Sequence, residues 1–323
     1  MRIMLAPMDG VTDFHMRKIL TSVYPYDRCV TEFVRITNNR YPDRVFLKYC
    51  PELETGGVTS TGVPVYVQLL GTDHHFISLN AKRLVELGVL GIDLNFGCPA
   101  KTVNRHGGGS SLLRTPDRVT GIVAAVRDAV DPSVPVTAKI RLGFDNSDKL
   151  MEIATGIEAA GATELCVHAR TRLDGYKPPA YWSAVKLVRQ ALTIPVTVNG
   201  EIWSESDASM ARSDSNCFDL MLGRGALAMP DLARSIQAEN DKTSYRKLVW
   251  FDVLDLLEQL LQSAAGLPVK YAGNRTKQWL SYLVREYAGA RVLFSEVKRL
   301  QDIDAMAQQI QRHRDNFRLS EIL

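Results

Sequence analysis

No two cysteines of this chain stand at the C-x-x-C spacing of a zinc or dithiol site. The five present, Cys29, Cys50, Cys98, Cys166 and Cys217, are odd in number and far apart, which excludes the dense disulfide framework of a small secreted domain. Neither a strand–GxGxxG–helix unit nor a GxxxxGK(S/T) loop occurs, so neither a Rossmann nor a P-loop nucleotide site is indicated. The apolar run after Met1 is too short for a signal peptide and meets Asp9 at once, and no later run approaches a membrane span. We therefore expect a cytoplasmic protein with reduced thiols, no membrane partner and no metal. Internal repeats and low-complexity tracts are absent as well. The net charge of +3 is too small to argue by itself for a nucleic-acid partner.

What is present is a sizeable apolar fraction, 46% of 323 residues, and a repeating order of short β-branched runs and amphipathic stretches. Strands are expected at 3–6, 29–33, 65–69, 92–95, 136–141, 164–168, 196–199 and 219–223. Helical patterns fall at 75–87, 118–129, 151–160 and 182–191. Buried parallel strands read as continuous apolar runs bridged by helices. Eight such units predict an α/β fold, a closed (β/α)8 TIM barrel, which alone uses roughly 250 residues. After about Tyr245 the pattern turns helical, at 248–263, 276–287 and 303–314, with breaks at Leu267-Pro268 and near Gly289. We expect a barrel over 1–241 and an all-helical domain over 242–323. The second segment carries 13 Lys/Arg against 9 Asp/Glu, and the first 26 against 27, so the positive excess is C-terminal. That asymmetry suits either a solvated helical surface or a polyanionic partner.

A barrel of this kind builds its site at the C-terminal ends of its strands. Here those ends carry Pro7 and Met8, Gln68, Asn95 with Cys98 beyond it, Lys139 and Arg141, His168, Asn199-Gly200-Glu201, and Gly223-Arg224. Singly each has a plain structural explanation, such as a polar cap on the barrel core or a glycine turn. Gathered at one end they point to a site. The loops after the last two strands commonly hold a phosphate, where glycine lets backbone N–H groups approach and Arg224 adds a charged donor. A phosphorylated cofactor on the barrel mouth follows, and FMN fits, with Lys139 beside its electron-rich pyrimidine edge. Gly107-Gly108-Gly109 reads as a flexible hinge for the loop from Gly97 to Leu113. Cys29 and Cys166 read as buried apolar residues, and Cys50 and Cys217 as loop residues without evident role.

Seven stretches together resemble the tRNA-dihydrouridine synthase family: Leu5-Ala6-Pro7-Met8, Val67-Gln68-Leu69, Asp93-Leu94-Asn95-Phe96-Gly97-Cys98-Pro99, Lys139-Ile140-Arg141, Val167-His168-Ala169-Arg170-Thr171, Asn199-Gly200 and Gly223-Arg224-Gly225. Asn-x-Gly-Cys-Pro is the most specific of them. The stretches Thr31–Arg35 and Arg275–Leu283 are similar to the C branch of that family, which acts on position 16 of the D-loop. The resemblance implies that FMN is held by Pro7, Met8, Asp9, Gln68, Lys139, His168, Asn199, Gly200, Glu201, Gly223 and Arg224. It makes Cys98 the catalytic acid, puts Asn95 and Arg141 against the uracil, and gives Arg35, Tyr176, Arg275, Lys277 and Tyr282 to the RNA. Phe96 and Ala100 depart from the residues usual beside that cysteine, a difference of loop packing rather than of chemistry.

The implied reaction reduces the C5–C6 bond of uracil with NADPH as reductant, FMN passing hydride to C6 and Cys98 a proton to C5. A thiol with an unperturbed pKa of about 8.5 is mostly protonated at neutral pH, as an acid must be. A nucleophilic cysteine instead needs a cationic neighbour, a place Lys101 is near enough in sequence to fill. Tyr176, Tyr282 or Trp279 could stack on bases, although Trp279 shares a helical face with Leu280 and Leu283 and reads better as core. Lys270 and Arg285 belong to the same basic stretch. The protein is expected to act as a monomer. The rival expectation is an FMN barrel acting on a free pyrimidine or a dihydroorotate-like metabolite, which leaves the basic tail without a purpose.

Overall fold

The chain is described by a computed structural model covering residues 1–263 and 269–322. Nine parallel-paired strands are described: β1 (Ile3–Leu5), β2 (Arg28–Val30), β3 (Val34–Arg35), β4 (Val65–Leu70), β5 (Ile92–Asn95), β6 (Val136–Arg141), β7 (Glu164–His168), β8 (Val196–Asn199) and β9 (Asp219–Leu222). β1 pairs with β2 on one side and with β9 on the other, and β2 pairs with β4, so eight strands close into a ring. β3 adds to β4 outside that ring. The closed parallel barrel is the expected fold. Five strands begin and end within one residue of the expected bounds over β5 to β9, where apolar runs are buried throughout.

The expected strand over 29–33 instead splits into β2 and β3. Thr31 interrupts it: its hydroxyl donates to the Glu32 carbonyl at 2.8 Å and accepts the Gln68 amide at 3.0 Å, taking the place of a ladder bond. Helices follow the strands, including His74–Glu86, Pro116–Ala129, Leu150–Ala159 and Trp182–Ala191. The first of these is capped by Asp73, whose carboxylate accepts the amides of His75 and Phe76, a standard way to satisfy orphan donors of a first turn.

Two compact units result. One gathers Met1–Phe14, Tyr26–Ile202 and Ser206–Gly223, with all nine strands; the other gathers His15–Pro25, Trp203–Glu205 and Arg224–Leu323. The division expected at 241/242 therefore falls inside the second unit, which also includes the helix Leu232–Asp241. In that unit lie helices Trp250–Ser263, Val269–Leu283, Ala288–Val297 and Ile303–Ile322. The break expected at Leu267-Pro268 and the side chain of Lys270 lie outside the described residues. The break expected near Gly289 falls at 284–287, between the helices Val269–Leu283 and Ala288–Val297; Gly289 itself is in the second helix, where an added Cβ would lie 2.3 Å from Nε1 of Trp250. Trp279 is core, 1% exposed, its indole donating to the Leu227 carbonyl at 3.0 Å. None of the described helices is long and apolar enough to cross a membrane.

The lower end of the barrel is closed by charge. Glu164, at the start of β7, accepts Arg28 at 2.6 Å and Arg2 at 3.0 Å, while Arg2 also reaches Asp219 at 2.6 Å. Thr197 adds a hydroxyl bond to Glu164 at 3.2 Å. Arg28 is buried and its guanidinium lies 4.5 Å from the ring of Tyr66. Above this layer Met4, Val30, Cys166 and Met221 fill the interior. Glu164→Ala leaves a buried guanidinium without its carboxylate, so it should cost about 3–5 kcal/mol in a urea unfolding experiment; a loss below about 1 kcal/mol would show that Arg28 is compensated elsewhere.

Candidate active site at the barrel mouth

At the opposite end, a hydrogen-bonded chain runs across the interior. Thr137 donates to Asp93 at 2.5 Å, Gln68 donates to Asp93 at 2.7 Å, and Asn95 donates to the Gln68 carbonyl oxygen at 2.7 Å. The Asn95 oxygen in turn accepts the backbone amides of Gly97 and Cys98, each at 2.9 Å. β4, β5 and β6 are thus tied to the start of the cysteine loop. Asp93 is fully enclosed, and burial raises its pKa against the opposing pull of its Gln68 and Thr137 donors. Gln68 is itself fully buried, with both ends of its amide engaged, so it is a member of this chain as well as of the barrel layer.

The loop that carries Cys98 is built rather than loose. Its carbonyl accepts the Ser110 amide at 3.0 Å, the Ser110 hydroxyl at 2.9 Å and the Asn104 amide nitrogen at 3.0 Å. A short helix, Lys101–Asn104, and a 3-10 turn, Gly109–Arg114, follow. The expectation of a glycine hinge is corrected here: Gly109 has φ +57°, and a Cβ on it would stand 2.8 Å from the Cys98 carbonyl oxygen. The glycine answers a close approach. Phe33 and Ala100 pack with Leu70, Cys98 and Val103, while Phe96 is buried. The residues that depart from the usual cysteine surroundings therefore fill space.

Cys98 is 8% exposed. Burial pushes its thiol pKa up, with Asp9 adding to the rise and the Ala100 amide, Arg141 and Arg35 opposing it. An apolar pocket that suppresses thiolate favours the acid over the nucleophile. Cys29, Cys50, Cys166 and Cys217 are also free and buried; Cys166 is pushed up to about 12 by its enclosure. Cys50 and Cys217 are loop residues, as expected, and both are buried.

On the other side of the mouth, Lys139 donates to the Asn199 oxygen at 2.8 Å, and Asn199 donates to the Met221 carbonyl at 2.8 Å. Burial draws the Lys139 pKa down. Arg141 donates to the carbonyls of Gly97, Thr171 and Gly175 at 2.8, 3.0 and 2.9 Å, and lies 5.1 Å from the ring of Tyr176. His168 is buried and stands 6.1 Å, centroid to centroid, from Tyr176. Gly200 (φ +113°) presses on the His168 ring, leaving 2.6 Å between a notional Cβ and Cδ2. Met8 donates its amide to Thr12 at 2.8 Å beside Pro7, and Gly223 faces the Met8 sulfur with ordinary space for a Cβ. Glu201 takes the left-handed φ of 58°. Arg35 is exposed at the end of β3.

The first unit thus brings together Pro7, Met8, Asp9, Gln68, Asn95, Cys98, Lys139, Arg141, His168, Tyr176, Asn199, Gly200, Glu201 and Gly223. Arg224, Arg275, Lys277 and Tyr282 belong to the second unit. There Arg224 lies 5.0 Å from the Trp203 ring. Arg275 is only 7% exposed and bonds Gln278, and Lys277 donates to the Leu300 carbonyl at 2.6 Å. Arg275 and Lys277 are thus anchored side chains, and Tyr282 is half-buried. Sequence reasoning missed Thr137, Thr171 and Asp93 as supports, and it gave Arg170 no role. Asp93, Thr137 and Arg170 find partners on other strands and loops, so no local pattern announces them, while Thr171 pairs with Asp174 in its own turn.

Comparison with known proteins places this architecture. Solved structures share the fold at low identity: morphinone reductase at a TM-score of 0.53 and 13% identity, over 76% of this chain and 87% of that one. A 2-naphthoyl-CoA reductase complex gives 0.57 and 11%, over 75% and 50%. The dihydrouridine synthase (Dus) family model matches residues 4–314. The tRNA-dihydrouridine(16) synthase of Shewanella oneidensis is 48% identical over 317 residues, 97% of this chain and 99% of that protein. Its namesake in Pseudomonas putida is 47% identical over 303 residues, 94% of each. The chain belongs to the dihydrouridine synthase family.

Because Gly109 combines a left-handed backbone with contact against the cysteine loop, Gly109→Ala should destabilise the protein by about 1–3 kcal/mol. Thermal or urea unfolding checks this, and an unchanged midpoint would mean that the loop yields at no cost.

Proposed function

We propose that this chain is an FMN-dependent reductase that converts a uridine in the D-loop of tRNA, at position 16, to 5,6-dihydrouridine, with NADPH as the reductant. Relatives named tRNA-dihydrouridine(16) synthase, near half identical over almost the full length, support the substrate and position. The observation that carries the chemistry is Cys98, a buried thiol whose pKa is raised by enclosure and whose backbone amide is held by Asn95, at the mouth of a barrel whose other wall presents Lys139.

The donor set fits the cofactor. Lys139 is a cation withdrawn from water whose hydrogen-bond partner is the neutral Asn199 oxygen, so an electron-rich ring edge would stabilise it. Pro7, Met8, Asp9, Gln68 and His168 would line the ring, and Gly200, Glu201 and Gly223, with Arg224 next in the chain, would meet the phosphate. When bound, the flavin supplies hydride for C6 of the uracil, drawn from NADPH. Cys98 gives its proton to C5. Asn95 has an amide hydrogen beyond its Gln68 bond, and Arg141 is fixed nearby by three carbonyls; both would stabilise charge developing on the uracil carbonyls. Their preorganisation means little reorientation is needed as the charge appears.

The uracil must leave its RNA stack to reach this depth, at a cost of a few kcal/mol that is smaller in an unpaired loop. Arg35 and Tyr176 on the first unit, and Arg275, Lys277 and Tyr282 on the second, would meet the RNA and offset that cost. A soluble cytoplasmic monomer suffices for this work.

Cys98→Ala should keep the yellow flavin and NADPH oxidation while dihydrouridine formation in tRNA falls by at least about 100-fold, in line with loss of a general acid. Mass spectrometry of the tRNA nucleosides and flavin absorbance read both. Undiminished product would remove Cys98 as the acid, and turnover of free uridine or orotate at the tRNA rate would favour a metabolite reductase.

A further inference from the structure

The segment 169–181, between β7 and the helix Trp182–Ala191, carries the exposed Tyr176, and it is strapped down on both sides of that residue. Before Tyr176, the Gly175 carbonyl accepts Arg141 at 2.9 Å. After it, the Lys177 carbonyl accepts Nε of Arg170 at 2.7 Å, and the Pro179 carbonyl accepts the same group at 3.1 Å. Arg170 is fully buried, and its guanidinium forms an ion pair with the Glu201 carboxylate. Thr171 and Asp174 close the turn at its start, the Asp174 carboxylate accepting the Thr171 amide at 2.8 Å and its hydroxyl at 2.7 Å. At its end, Trp182 donates its indole N–H to the Gly200 carbonyl at 2.8 Å.

We propose that Arg170, oriented by Glu201, is a positioning residue that fixes Tyr176 for the RNA substrate. The inference rests on the reading of Tyr176 as an RNA contact. A guanidinium offers five donors in a rigid fork, and this one spans from Glu201, in the loop after β8, to two carbonyls that follow Tyr176 in the turn. Without the carboxylate, a fully buried charge loses its counter-ion, and the fork has no reason to hold that orientation. Glu201 therefore serves the site through its carboxylate on Arg170 as well as through its left-handed backbone. An exposed aromatic ring that stacks on a base gains affinity only if its backbone is already ordered, since ordering it on binding subtracts from that gain.

The test is a double-mutant cycle in the full-length holoenzyme, with flavin content read by absorbance and folding by thermal unfolding. Tyr176→Ala alone should raise KM for tRNA roughly tenfold, as expected for loss of one stacked base. Arg170→Lys, which keeps charge but loses the fork, should raise KM for tRNA about fivefold, with kcat within about twofold of the parent. In the Tyr176→Ala background, Arg170→Lys should add less than about twofold, because the two residues act through one contact. Glu201→Gln, read for KM, should follow Arg170→Lys and gives a second line should that variant fold poorly. An unchanged KM in Arg170→Lys, or the same increase with and without Tyr176, overturns the proposal. Loss of flavin from Glu201→Gln overturns it too, by placing that carboxylate on the cofactor. If Tyr176→Ala leaves KM unaltered, the reading of Tyr176 itself fails and the proposal falls with it.

Discussion

Asn95 is the hinge on which the site depends. Its oxygen holds the first two amides of the cysteine loop, and its nitrogen is held by Gln68, which is held by the enclosed Asp93. The Gln68–Asp93 link is buried and the three Asn95 links are partly so, and a polar group withdrawn from water needs its partner. The consequence is geometric: a thiol is delivered to the barrel mouth at a fixed height, in surroundings that keep its proton on. A loop tied only to solvent would present the same sulfur, but at varying depth and with easier ionisation.

The two ends of the barrel use charge differently. Below, Arg2, Arg28, Glu164 and Asp219 compensate one another, and the result is closure. Above, Lys139 has a neutral partner, Arg141 spends its donors on backbone carbonyls, and Cys98 is left neutral. Uncompensated donors at a mouth are costly for stability and useful for binding negative charge. That contrast accords with the rule that the lower face of such barrels serves stability and the upper face chemistry.

Much of this was legible in the chain itself. Strands β5 to β8 stand at the expected residues because each is a short, largely buried stretch with an apolar residue at every second position, a pattern visible in the chain. Residues at their C-terminal ends were legible for the same reason, since position in the fold assigns them a face. The supports were not. Thr31 splitting a strand, Arg170 reaching Glu201 across 31 residues, and Gly109 pressing on the Cys98 carbonyl are contacts between distant segments. Gly107-Gly108-Gly109 looked like a hinge because glycine permits both freedom and crowding, and only coordinates distinguish them. Arg275 shows the same limit: a basic residue in a basic stretch reads as surface, yet it is packed against its own helix.

The claim at the centre is that enclosure keeps Cys98 a neutral thiol. Its alkylation by iodoacetamide can be followed as a function of pH, with the modified peptide quantified by mass spectrometry so that the four other buried cysteines do not contribute. Thiolate is the reacting form, so a raised pKa predicts a rate that stays low through neutrality and rises with an inflection above the ordinary thiol value of about 8.5. An inflection below that value, with rapid alkylation at neutral pH, would mean a thiolate at the mouth and would contradict the account of Cys98 as the proton donor.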